Sequence, residues 1–358
     1  MASRLTQSLI AGVCALAITA CSQEAAQTSL VGAQVGDFQL ADQNDVAHEL
    51  KYYKNADAIV LASHLNDDEG SREAQAALAA LQEAHPNAKV MMINSSGADG
   101  RAEIRAEAEA NGYAVPVLDD ELQLIGDSLG FTYAGEAVVL DPKSWTVAFH
   151  GPATDAALAT AVEAVAAGQA VEVADVAGEG TKLSFEDRGA DHASISYAHD
   201  VAPILLENCV DCHREGGIGP FQMTSYDVIK GFSPMIREAL RTDRMPPYNA
   251  DTAYGQFQQS FNLEPEEAKT LIHWIQAGAE RGEGEDPLVE GVKPRPDWPE
   301  GEPDLVVDIT PYDIPATGVI DYIVPAVENP STEGKWLTKT TFKAGSRQGV
   351  HHILGGWL

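Results

Sequence analysis

Between Val31 and Ala177 the apolar residues follow two alternating rhythms. Ala58–Ala62, Lys89–Ile93 and Ala137–Leu140 are short, dense runs of aliphatic residues and read as strands. Ser71–Ala84 and Arg101–Asn111 space their apolar positions at helical intervals. Strand and helix in alternation predict an α/β layer with a largely parallel sheet. Beyond it the rhythm becomes purely helical. Val201, Ile204 and Leu205 line one face of a helix, and Ala268, Leu271, Ile272, Ile275 and Ala279 line another that Pro265 opens. After residue 304 the pattern changes again: "DLVVDI", "VIDYIVPA", "KWLTKTTFKA" and "GVHHILGGWL" read as strands between Gly, Pro and Asn turns.

These changes divide the chain. Residues 31–177 are expected to form the α/β domain and 178–193 an acidic linker. Residues 194–280 are expected to form a small all-α domain, 281–304 a Pro- and Gly-rich linker, and 305–358 a partial β-sandwich. Four strands with apolar faces leave a sheet uncovered, so that last piece needs a partner or a continuation of the chain.

The first twenty residues carry one charge, Arg4, and an apolar run from Leu9 to Ala20, the layout of a secretory signal too short to span a bilayer. Ile18-Thr19-Ala20 before Cys21 resembles the bacterial lipobox. That resemblance implies a signal peptide over 1–20, lipidation of Cys21 and a tether over 21–30. With Ser22 following the cysteine, it implies anchoring at the periplasmic face of a bacterial membrane, the outer membrane favoured. A net charge of −31 excludes a phosphate-tracking, nucleic-acid-binding surface and suits a basic redox partner protein.

Of four cysteines, Cys14 and Cys21 belong to the signal region, which leaves Cys209 and Cys212 for chemistry. Cys209-Val210-Asp211-Cys212-His213 has the order and spacing that attachment of haem c requires. Two thiols add across two vinyl groups, and the adjacent imidazole reaches the iron from the same turn. A thioredoxin-type CxxC, half of a zinc site and a structural disulfide are the rival readings. The first lacks a βαβ context, and His199 and His273 form no zinc-spaced pair. A sixth iron ligand is expected among Met223, Met235, Met245 and His273. Met245 is favoured, because in Arg244-Met245-Pro246-Pro247-Tyr248 the prolines stiffen the loop around a thioether.

Three resemblances add to this reading. "VGDFQLAD", the helix after the first central strand, and "GEAVVLDP" followed by "TVAFHG" resemble the thioredoxin-like, peroxiredoxin-related fold. Where a redox member of that family carries its cysteine, this chain reads Ser63-His64-Leu65-Asn66-Asp67-Asp68-Glu69, so the domain is read as a structural or docking module and His64 as a solvated loop residue. "NCVDCH", "GPFQMTSYDVI", "RMPPY" and "WIQAGA" resemble the c-type cytochrome domains found fused to redoxin domains. Residues 305–358 resemble the start of the copper type II, ascorbate-dependent monooxygenase fold, which implies copper at His351 and His352 in a longer chain. Electron transfer is the expected function, and the cytochrome-bearing part of a copper monooxygenase the alternative.

Overall fold

The computed structural model describes residues 30–247, 250–251, 254–255, 257–258, 261–294, 296–350 and 352–355. The expected signal peptide, Cys21 and His351 lie outside the described residues.

The α/β part opens with a small hairpin, β1 (Gln39–Ala41) and β2 (Ala47–Glu49). The main elements follow as β3 (Ile59–His64), α1 (Glu69–Ala84), β4 (Lys89–Asn94), α2 (Arg101–Asn111) and β5 (Val117–Asp119). After them come α3 (Leu124–Ser128), β6 (Glu136–Asp141), β7 (Thr146–Pro152) and α4 (Ala156–Ala166). The sheet order is β5-β4-β3-β6-β7. Strands β3, β4 and β5 run parallel, and β6 and β7 antiparallel. The sheet is therefore mixed rather than largely parallel. Only four residues join β6 to β7, and a link that short connects antiparallel neighbours, whereas the parallel pairs are joined through α1 and α2. Helix-linked parallel strands followed by a hairpin and a closing helix resemble the thioredoxin-like fold.

β3 is buried along its whole length because both faces of the sheet are covered. Val60 and Ala62 face α1 and α4 through Leu78, Leu158 and Val162. Ile59 and Leu61 face the other layer with Phe38, Phe131 and Phe185. Asp68 caps α1 by accepting from the Ser71 amide at 2.7 Å, and Gly112 ends α2 at φ 65°, a conformation that favours glycine.

The expected first linker is laid onto this layer. Lys182 bridges Tyr133, and Phe185 enters the core beneath the Arg188 guanidinium, 3.9 Å from the ring centre. Its acidic composition hid two apolar anchors, Leu183 and Phe185, too few to register as a periodic pattern.

The next unit is helical, with a π-turn at Tyr197–Val201, α5 (Ala202–Asn208), α6 (Tyr226–Arg241), α7 (Pro265–Gln276) and α8 (Pro287–Gly291). Tyr197, Leu205, Ile229, Leu271 and Trp274 form its core, and the Tyr197 and Trp274 rings stack at 5.7 Å. The expected second linker also joins a core. Leu288 is fully buried, and the Asp286 carboxylate accepts from the Tyr197 hydroxyl at 2.7 Å and the Leu288 amide at 3.1 Å.

Among the described residues from 305 onward there is no strand, and Val319, Tyr322, Val324 and Trp336 are exposed. The expected partial β-sandwich is therefore not formed. Short apolar runs satisfy neither their backbone groups nor their apolar faces without a second layer. Among the described residues no helix is long and apolar enough to cross a membrane.

Candidate functional site

The Cys-Cys-His sequence forms one turn beyond the end of α5. The Cys209 amide donates to Leu205 O at 3.0 Å, that of Cys212 to Cys209 O at 3.2 Å, and that of His213 to Cys209 O at 3.0 Å. This places Cys209 and His213 four residues apart on one helical face, with Cys212 between them. The chain then folds back around the imidazole. Gly219 N donates to Cys212 O at 2.7 Å and Met223 N to His213 O at 2.7 Å. A Cβ on Gly219 would lie 2.7 Å from both Cγ and Nδ1 of His213, so only glycine permits this approach.

One hydrogen bond settles the chemistry of His213. Its Nδ1 lies 2.9 Å from Phe221 O, and because a carbonyl can only accept, Nδ1 carries the proton. Nε2 therefore holds the lone pair. Burial, only partly opposed by that carbonyl, lowers the pKa of the group and favours the neutral ring a metal requires. The ring tilts against Phe221, which stacks on Phe232 of α6 at 4.1 Å. This aromatic chain packs against the imidazole and fixes its orientation.

Both cysteines are unpaired in this structure. Burial pushes the Cys209 thiol up to about 12, the reverse of the lowered thiol on which disulfide exchange depends. Among the described residues no group of three or more His, Cys, Asp and Glu side chains is placed to hold a metal ion, so the zinc reading finds no further ligands there. A cavity of about 570 Å³ lies beside the loop, lined by Arg214, Gln222, Val228 and Phe232; neither cysteine nor His213 lines it, so it is distinct from the Cys-Cys-His turn.

The candidates for a sixth ligand separate by burial. Met223 is packed into the helical core. His273 stacks on His192 at 3.9 Å, with its Nε2 3.5 Å from Asp187. Met235 is exposed in the middle of α6. Met245, 38 % exposed, stands on the loop just past the end of that helix, whereas the loop residue Met223 is buried. No contact in the structure joins it to His213. Phe232, Tyr254, Phe257 and Phe261 of the same unit are also exposed. His352 is exposed, its ring 6.5 Å from that of Tyr322, and nothing among the described residues assembles a copper site with it.

In the α/β domain, Ser63 lies in the buried strand β3. Its hydroxyl donates to Tyr133 O at 2.6 Å and accepts from the Glu136 amide at 3.0 Å, so it ties β3 to the start of β6. Fully buried Glu136 accepts from the Thr132 and Tyr133 amides and meets His150 Nε2 at 2.6 Å. His150 Nδ1 lies 3.1 Å from Asp175. The sequence reading missed this network, whose only signal was a charged residue inside a strand run.

No protein-family model matches the chain, and no curated protein matches it. Similar solved structures include a hypothetical protein of Sinorhizobium meliloti, 25 % identical, covering 44 % of this chain and 95 % of that one at a TM-score of 0.40. Another is the peroxidoxin BcpB of Mycobacterium tuberculosis, 19 % identical, covering 39 % of this chain and 98 % of that one at 0.34. A third is the bacterioferritin comigratory protein of Xanthomonas campestris, 14 % identical, covering 36 % and 91 % at 0.30.

His64 is not the solvated loop residue expected. It ends β3, is 1 % exposed, meets the Tyr113 ring edge-on at 5.7 Å and leaves Nε2 buried without a hydrogen bond. Burial lowers its pKa from 6.5 to about 4. As pH falls through 6.5 the unfolded chain takes up this proton first, so stability drains away until about pH 4, by about 3 kcal/mol in all. Asp119 and Asp120, raised to about 6 by burial, act in the opposite sense, protonating first in the folded state and adding stability as the pH drops. His64→Leu should therefore gain about 3 kcal/mol relative to the parent between pH 7 and 4. Urea midpoints at the two pH values check this, and a constant gap between the proteins would contradict it.

Proposed function

We propose that this chain is an electron-transfer protein that carries one haem c. Cys209 and Cys212 would hold it by thioether bonds, and His213 Nε2 and the Met245 thioether would be the iron's protein ligands. The observation that carries this reading is the hydrogen bond from His213 Nδ1 to Phe221 O, which leaves Nε2 as a free donor one turn from two unpaired thiols. The Gly219 approach that holds the ring in place adds to it. When bound, the haem supplies reversible one-electron chemistry at iron. The residues of the chain hold the imidazole neutral, fix its tautomer and orient it through Phe221 and Phe232. A thioether as the other ligand raises the reduction potential above that of a bis-imidazole site.

Export belongs to the same reading, because haem attachment of this type proceeds outside the cytoplasm. The apolar run before Cys21, lipidation at that residue and an acidic surface make the protein a carrier at the periplasmic face of a membrane, the outer membrane favoured, that meets a basic redox partner protein. The cysteine-free α/β domain serves as a structural and docking module. No residue is assigned a catalytic role.

Thiol counting tests the attachment. The exported protein, denatured and treated with dithiothreitol, is expected to expose no reactive thiol from Cys209 or Cys212. Recovery of two thiols would show a free or disulfide-bonded pair and overturn the reading.

A further inference from the structure

The loop that follows α6 is held at both ends by the α/β domain. Before Met245, Glu238 accepts from Arg244 Nη2 at 2.8 Å and from Lys51 Nζ at 3.3 Å. After it, Asp251 accepts from Arg101 Nη1 at 2.6 Å, and the Tyr254 hydroxyl donates to Asp45 Oδ2 at 2.6 Å. Asp45 is itself braced by Arg105 Nη2 at 2.6 Å and Arg101 Nη1 at 3.2 Å. Each anchor on the α/β side sits on firm structure. Arg101 opens α2, Lys51 follows β2, and Asp45 tops the β1–β2 turn, whose amides at Asn44 and Val46 bond the buried Asp42 carboxylate at 2.8 and 3.0 Å.

Met245 is one residue past Arg244, whose partner Glu238 takes the Lys51 tie from the end of α6, and six before Asp251. Six residues reach at most about 21 Å, so fixing both ends confines where the thioether can go. A single exposed ion pair contributes little. Asp45, Arg101 and Asp251, however, share partners, and Arg101 and Asp45 are largely sheltered, so they respond together.

We propose that the thiol-free α/β domain acts as a clamp on the loop carrying Met245, with Asp45 and Arg101 as the positioning residues that hold the thioether at the iron. This rests on the haem c reading above. A thioether is the more readily displaced of the two axial ligands, so the grip on its loop sets how easily another base replaces it.

The test uses the full-length exported protein and three variants, Arg101→Gln, Asp45→Asn and Tyr254→Phe. The readout is the sulfur-to-ferric-iron band at the red edge of the visible spectrum, followed as the pH is raised. Arg101→Gln and Asp45→Asn are expected to bleach that band at a pH about one unit lower than the parent, a tenfold loosening. Tyr254→Phe should shift it the same way by less, and covalent haem content should stay unchanged. The exposed Tyr254 ring makes the last variant safe for folding, so it decides the matter if Arg101→Gln fails to fold. An unchanged bleaching midpoint in the folded variants would overturn the clamp. A parent protein without haem would instead overturn the haem reading. The tie is then read by amide exchange over residues 250–255, where the clamp requires faster exchange in the variants and equal exchange would refute it.

Discussion

Serine at either Cys209 or Cys212 is expected to leave the haem attached through one thioether or lost during purification, and serine at both to abolish covalent haem. His213→Ala should remove the low-spin spectrum even where attachment survives. The reasoning follows the geometry of the turn. Hydrogen bonds to Leu205 O and Cys209 O fix all three side chains on one short helical extension, and a hydroxyl cannot form the bond to a vinyl carbon that a thiol forms. Replacing His213 also removes the partner of Phe221 O and opens a gap against the Gly219 loop, so the loss of ligation is not repaired by a neighbour. Ligand loss at such a site typically weakens metal retention by more than tenfold, and loss of an orienting partner by about 10- to 100-fold. Visible spectra and haem-stained denaturing gels of the exported variants give the comparison. A Cys209→Ser/Cys212→Ser protein with covalent haem in parental yield would refute the assignment.

Glu136→Ala is expected to be the most damaging single change in the α/β domain, costing about 3–5 kcal/mol of stability. Glu136 has no exposed surface, and its carboxylate satisfies the Thr132 and Tyr133 amides while pairing with His150. That pairing is the largest influence raising the pKa of His150. Removing the carboxylate strands two amide donors and takes away the partner of His150 Nε2. A domain of this size is stable by only about 5–15 kcal/mol, so much of the margin goes. Glu136→Gln keeps one acceptor oxygen and should cost less. Urea unfolding followed by far-ultraviolet circular dichroism measures both variants, and a loss below about 1 kcal/mol for alanine would show that the network does not carry the hairpin.

The strands of the central sheet were legible because burial on both faces writes an unbroken apolar run, and α2 was read at its observed limits from its period alone. What escaped was set by contacts distant in sequence. Phe185 and Leu288 each anchor an acidic or Pro-rich stretch with one or two side chains, which leaves no periodic trace. The reading of β-strands after residue 304 rested on local propensity, and propensity without a paired layer does not make a sheet. At the Cys-Cys-His turn, the spacing on which the haem c proposal rests stands in the sequence itself, so its residues could be named there. The Phe221 carbonyl and the Gly219 approach could not, because a backbone acceptor and an absent Cβ carry no chemical label. Asp45 and Tyr254, 209 positions apart, meet only once both units are folded.

The intact mass of the exported protein, taken after full denaturation, tests the central claim most directly. The account predicts one haem's mass above that of the lipidated polypeptide, retained without the fold because two carbon–sulfur bonds hold it. A mass equal to polypeptide and lipid alone, from a colourless preparation made alongside an active haem-attachment system, would contradict it.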